Sequence, residues 1–146
     1  MNTPIAVDTY CVRMSPEGRL RLPADWRPLF ITAENASLML APRAGTHLAM
    51  MPLARIRTEL NTLKALARRA PADERPGMVS IADVQSFLDA VTEVRIGTGG
   101  RFTIPRPLRE SIGLTRDVVL AGCLDHAELW PPEKWREVDT RPWPDL

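Results

Sequence analysis

Apolar and polar residues alternate through residues 5–14, break at Glu17-Gly18, and alternate again at Leu20 and Leu22 before Pro23. Period-two alternation places every second side chain on one face of a strand, and a Gly-containing break marks a turn, so the pattern predicts a hairpin. A short amphipathic stretch at residues 25–30 reads as one or two helical turns, and apolar runs at Ser37 to Ala41 and Leu48 to Met51 predict a strand pair. From Leu53 the period changes. Leu53, Ile56, Leu60, Leu63 and Ala67 recur at three- and four-residue steps with Arg55, Arg57, Lys64 and Arg68 between them, the pattern of an amphipathic helix with a solvated basic face. Pro71 to Gly77 breaks the chain, Ser80 with Asp83 resembles a capping box, and Val84, Phe87, Leu88 and Val91 predict a second helix that pairs with the first. Alternation returns from Val91 to Pro105 around Gly99-Gly100. A helix at residues 107–114, strands at Val118 to Ala121 and Ala127 to Trp130, and a short helix at Glu133 to Val138 are predicted to follow.

The later pattern copies the earlier one. At an offset of 82 residues Val12, Arg13, Gly18, Arg19, Pro23 and Arg27 coincide with Val94, Arg95, Gly100, Arg101, Pro105 and Arg109, and His47 and His126 recur near the starts of the last strands. Recurrence of the turn glycine points to a tight turn, because glycine takes a positive φ at no steric cost. The repeat predicts an α+β, mainly β fold made of two copies of one module, at residues 1–52 and 91–138, with a helical insert at 53–90 and a Pro/Trp tail at 139–146. Units of about 70 residues are marginal alone, so the copies are expected to share a core.

Composition changes this picture in one respect. Net charge is only +1, but residues 1–73 carry ten basic and six acidic side chains and residues 74–146 nine and twelve, so any anion-binding surface must be local. Seventeen of the nineteen basic residues are Arg, whose planar fork suits phosphate and guanine edges, although a GC-rich genome gives the same bias. Two cysteines and the lack of a signal peptide or long apolar run lead us to expect an intracellular, reduced setting, with a disulfide between Cys11 and Cys123 left open.

From Gly100 to Trp135 the landmarks Gly-Arg-Phe-Thr-Ile-Pro, Leu108-Arg109, Gly113-Leu114, residues 117–122, Glu128-Leu129-Trp130 and Trp135 resemble the MraZ family of AbrB-like swapped-hairpin regulators in order and spacing. Gly18 to Pro23 and Trp26-Arg27 resemble it in the first copy. The resemblance implies tandem modules with interleaved hairpins, a homo-oligomer that closes into a ring, and binding to short repeats of double-stranded DNA in the promoter of a cell-division and cell-wall operon. It also implies a cytoplasmic, nucleoid-associated protein. The family carries an Asp four residues before the Arg of each Gly-Arg, where this chain has Ser15 and Gly97, and commonly a Lys before the Gly, where it has Glu17 and Gly99. Loss of the Asp is expected to leave the guanidinium less preorganised.

On this reading Arg19 and Arg101 contact DNA, with Arg13, Arg21 and Arg95 supporting them electrostatically. The bland alternative is pairing with neighbouring carboxylates, or protection of strand edges. Arg27 and Arg109 read as salt-bridge or interface residues, and Arg55, Arg57, Arg68 and Arg69 as a solvated helix face. His47 and His126 read as turn or interface residues, since no second His, Cys or acid pair stands at ligand spacing and zinc lacks its four ligands. Cys11 and Cys123 read as packed thiols, and Trp26, Trp130 and Trp135 as core or interface anchors. Gly97 to Gly100 lacks the Lys-Ser/Thr ending of a phosphate loop. No enzyme, cofactor, metal or membrane partner is expected. The alternative function is a protein-interaction module of the same fold, favoured by the missing acids, Glu17 and the Pro/Trp tail.

Overall fold

The computed structural model describes residues 3–69 and 81–138; Ser80, the 71–77 break and the 139–146 tail lie outside them. In chain order the elements are β1 (Thr9–Arg13), β2 (Arg19–Arg21), α1 (Arg27–Phe30), β3 (Ser37–Arg43), β4 (His47–Met51), α2 (Leu53–Arg69), α3 (Ile81–Ala90), β5 (Thr92–Arg95), β6 (Arg101–Thr103), α4 (Arg106–Ser111), β7 (Asp117–Gly122), β8 (Ala127–Trp130) and α5 (Pro132–Val138). The fold is mixed α and β around one large antiparallel sheet of order β1-β7-β8-β4-β3-β5, with β2 and β6 forming a separate two-stranded ribbon.

The predicted turns form, but the strands they join do not pair with each other. Gly18 N–H donates to Ser15 O at 2.9 Å and Ser15 N–H to Arg19 O at 3.1 Å, closing the turn between β1 and β2. Beyond it β1 pairs with β7, from Thr9 opposite Ala121 to Arg13 opposite Asp117, while β2 pairs with β6. In the second repeat β5 likewise leaves β6 and pairs with β3. Alternation fixes which face a side chain occupies; it carries no information about the partner strand.

Two ladders join equivalent positions of the repeat. Leu20 stands opposite Phe102, its match at the 82-residue offset, and in β4–β8 Ala49 stands opposite Glu128, its match at the 79-residue offset that aligns His47 with His126. Three-residue strands have little stability of their own, and packing onto the sheet supplies it. Leu20, Leu22, Phe102 and Ile104 are buried with Trp26, Phe30 and Ile112 against sheet residues Leu38, Leu40, Leu48, Leu120 and Leu129. Each fully buried side chain of this kind contributes about 1.5–3 kcal/mol. Trp26 satisfies its one polar atom by donating Nε1–H to Val7 O at 2.7 Å. On the opposite face Ala41, Ala49, Met51 and Ile56 form a second cluster, closed by Phe87 and Val91 beside α3. The periodicity thus gave both long helices correctly, and α2 and α3 do touch. Among the described residues no helix is long and apolar enough to cross a membrane.

Candidate nucleic-acid interface

Alternation along the ribbon sends Leu20 and Phe102 into the core and leaves Arg19, Arg21, Arg101 and Thr103 on its outer face. Arg13 and Arg95 end the flanking strands β1 and β5, and all five arginines singled out from the sequence line one shallow groove. Arg21 lies directly opposite Arg101, a like-charge pair that costs stability unless an anion answers it. Arg13 Nε lies 3.8 Å from Asp117 Oδ1, with the two side chains 74% and 68% exposed, so that pair contributes at most about 1 kcal/mol. Arg95 faces Ser37 instead, whose hydroxyl donates to Asn35 Oδ1 at 3.0 Å. Among the described residues no carboxylate forms an ion pair with Arg19, Arg21, Arg95 or Arg101. Planar forks concentrated on one exposed surface are suited to phosphate.

The two turns that deliver these arginines differ. Ser15 Oγ accepts the backbone N–H of Arg19 at 3.0 Å. An acceptor at this position therefore clamps the turn through the main chain of the Arg, where the sequence reading expected it to hold the guanidinium. Gly97 has no side chain to offer, and its turn is closed by Gly97 N–H to Arg101 O at 2.7 Å and Gly100 N–H to Gly97 O at 3.1 Å. Gly99 has φ +74° and ψ 13°, values that suit the third position of a type II turn and that a lysine adopts only under strain. Glu17 is fully exposed, and its carboxyl is held below the ordinary carboxylate range by its own backbone N–H first, then by the Ser15 hydroxyl and the nearby charges of Arg19 and Arg109.

Among the described residues Arg27 and Arg109 form no salt bridges, contrary to one of the expectations their positions invite; each clasps the other repeat's turn through backbone carbonyls or close packing. Arg109 donates to Ile104 O at 3.0 Å through Nε and to Pro16 O at 3.2 Å, and a Cβ on Gly18 would come within 2.7 Å of Ile104 O and 2.8 Å of Arg109 Nε. Arg27 donates to Leu22 O at 3.4 Å, and a Cβ on Gly100 would meet its Nε at 2.7 Å. Both glycines also have positive φ, +90° and +80°. Repetition of Gly and Arg was visible in the sequence; that each glycine packs on the other repeat's arginine was not.

A polar cluster lies on the sheet face that carries Ala49, away from the ribbon. His47 stacks on Trp130 with ring centroids 4.0 Å apart and planes 8° from parallel, and Trp135 packs edge-on against Trp130 at 5.8 Å. Burial lowers the pKa of His47, Arg43 adds to the shift, and Glu128, 3.3 Å from Nε2, opposes it without reversing it. Cys123 is pushed up to about 11, by burial first and then by the carboxylates of Glu128 and Asp125, as befits a packed thiol. Cys11 is exposed and both cysteines are free. Arg55 is not simply solvated: it binds Glu59 at 2.9 Å and also Asp125, which in turn lies 2.7 Å from His126 Nδ1. Arg57 is exposed, as expected. Contrary to expectation, a cysteine does stand at ligand spacing from a histidine. Cys123 precedes His126 by three residues, and with Glu128 they place ligand-type atoms within 4.8 Å of one another. The Cys-x-x-His-x-Glu spacing is the signal of this cluster in the sequence.

The family model described as "MraZ protein, putative antitoxin-like" matches residues 87–141. A Mycobacterium ulcerans protein named transcriptional regulator MraZ is 31% identical over 129 residues, which span 88% of this chain and 82% of that protein. The proteins of the same name from Mycolicibacterium smegmatis, 31% identical over 129 residues (88% and 82%), and Nocardia farcinica, 32% identical over 128 residues (87% and 81%), match equally broadly. With identity above 30% over most of both chains, the chain belongs to the MraZ family.

Proposed function

We propose that this chain is a DNA-binding transcriptional regulator whose ribbon arginines grip short repeats of double-stranded promoter DNA. The observation that carries the reading is the gathering of Arg13, Arg19, Arg21, Arg95 and Arg101 on one groove, four of them in no ion pair among the described residues. The names of its relatives, transcriptional regulators all, support it. In this reading Arg19 and Arg101 make the main contacts from tandem swapped-hairpin modules at residues 1–52 and 91–138, the 53–90 helices serve as an insert, and 139–146 is a tail. Copies of the chain assemble into a ring, so that weak single contacts add through multivalency. The target is the promoter of a cell-division and cell-wall operon, and the protein is cytoplasmic and nucleoid-associated.

The test is fluorescence-anisotropy titration of DNA from upstream of the protein's own gene against a scrambled duplex at two salt concentrations, for the native chain and the Arg19→Ala/Arg101→Ala variant. Selective binding that the variant loses while keeping its oligomeric state supports the reading. Each phosphate neutralised contributes about −0.9 to the log–log salt slope. Equal affinity of variant and native chain excludes these contacts.

Glu17 favours a second reading, a protein-interaction module of the same fold, because its exposed carboxylate is close enough to Arg19 to feel its charge and a carboxylate repels phosphate. Absent DNA binding together with stable capture of a defined protein partner would establish it.

A further inference from the structure

We propose that Cys123, His126 and Glu128 form a binding site for a divalent transition-metal ion of the zinc class. The three side chains lie on one face of the β7–β8 hairpin, and their ligand-type atoms are within 4.8 Å of one another. Local backbone geometry explains how they meet. Cys123 N–H donates to His126 O at 2.9 Å, so the two residues face each other across a tight turn, and Leu124 between them takes a left-handed φ of +72°. Two residues beyond His126, the period of the strand returns Glu128 to the same face. All three are half-buried, which limits competition from bulk water while leaving a path for an ion.

The surroundings hold the ligands in place. Asp125 Oδ1 lies 2.7 Å from His126 Nδ1, so Nδ1 carries the proton and Nε2 presents its lone pair to the ion. A carboxylate behind a ligating histidine is the usual arrangement in metal sites. Asp125 is itself bound by Arg55 of α2, and Arg55 by Glu59 at 2.9 Å, a chain of contacts that anchors the turn to the long helix. Glu128 accepts Trp130 Nε1–H at 3.2 Å and lies 3.3 Å from His47 Nε2. A set of one sulfur, one nitrogen and one carboxylate oxygen suits a borderline-soft ion in tetrahedral coordination and suits calcium or magnesium poorly, since those require oxygen ligands. Water completes the fourth position. Binding displaces the Cys123 thiol proton to solvent, one proton per ion, and forms the metal–sulfur bond. The site is independent of the ribbon arginines and of the DNA reading.

The metal-free full-length chain, titrated with Co²⁺, is expected to develop a thiolate-to-cobalt charge-transfer band and the visible bands of a tetrahedral ion at one ion per chain, and Zn²⁺ should bleach both. Cys123→Ser should abolish the charge-transfer band, and Cys11→Ser should leave it intact. Asp125→Asn touches the ion only through His126, and is expected to weaken Co²⁺ binding about 10–100-fold. Circular dichroism of each variant establishes that it is folded, and if Cys123→Ser fails to fold, the Asp125→Asn affinity and the Cys11→Ser spectrum decide. No charge-transfer band in the native chain, a band that disappears with Cys11, or unchanged affinity in Asp125→Asn would overturn the proposal.

Discussion

The Ser15–Gly18 and Gly97–Gly100 turns present matching arginines on one ribbon, yet one is built from Ser, Pro and Glu ahead of its last glycine and the other from Gly, Thr and Gly. In the first, a side-chain hydroxyl clamps the Arg19 N–H; in the second, two successive left-handed glycines do the turning and no side chain helps. What both retain is the final glycine pressed against an arginine of the other repeat. Close packing between repeats therefore constrains the turn more tightly than the chemistry at its tip does.

The widest separation between the repeats is expected where Trp26 and Leu108 occupy the same position. Trp26 is fully buried and Leu108 only half, so Trp26→Ala should cost about 3–5 kcal/mol in urea denaturation, and Leu108→Ala about 1–2 kcal/mol. Similar losses would mean that the two short helices carry equal loads. At the turns, Gly18→Ala places its Cβ against the backbone oxygen of Ile104, which cannot swing away, whereas Gly100→Ala chiefly meets the Arg27 side chain, held only by a 3.4 Å hydrogen bond to Leu22 O. Expected losses are about 2–4 kcal/mol for Gly18→Ala, and about 1–2 kcal/mol for Gly100→Ala, where the positive φ dominates. Reversal of that order in thermal melts would show that Arg27 is the more rigid neighbour.

Smaller effects sharpen the same contrast. Arg101 has no acidic neighbour in its turn, whereas Arg19 stands two residues from Glu17, so Arg101→Ala should weaken DNA binding more than Arg19→Ala and each should lower the salt slope by about 1. Glu17→Gln is expected to tighten binding and to narrow that difference; unchanged anisotropy curves would place Glu17 away from the phosphates. The smallest change is at Gly97, whose added Cβ would meet only Arg101 O at 3.6 Å and whose backbone is extended. Gly97→Ser should stabilise the chain by about 0.5–1 kcal/mol through a less flexible unfolded state and a clamp like that of Ser15, a gain that calorimetry would detect.

Legibility in the sequence followed the range of the interaction. Leu53, Ile56, Leu60 and Leu63 announced α2, because a helix is specified by neighbours three and four residues apart. Gly18 and Gly100 announced the turns for the same local reason, and the five arginines were found by their place beside them. The partners of β1 and β5 stayed hidden because Val12 and Val94 encode burial and not identity of the neighbouring strand. The sequence around Arg27 and Arg109 points to salt bridges or interfaces, because a carbonyl acceptor leaves no trace in composition. Cys123, His126 and Glu128 were within six residues of each other, yet their convergence depends on the register of β7 with β8, where Ala121 pairs with Glu128.

The pairing of β1 with β7 sets an order of events during synthesis. Tyr10 finds its partner Leu120 only after 110 further residues have been made. At about 5–20 residues per second the ribosome exposes an unpaired first strand for roughly 5–20 s. Non-local strand pairing of this kind is slow to form. A newborn chain thus carries an open strand edge until its last quarter emerges, and during that interval the β7 of another chain whose own β1 has not yet docked is a competing partner.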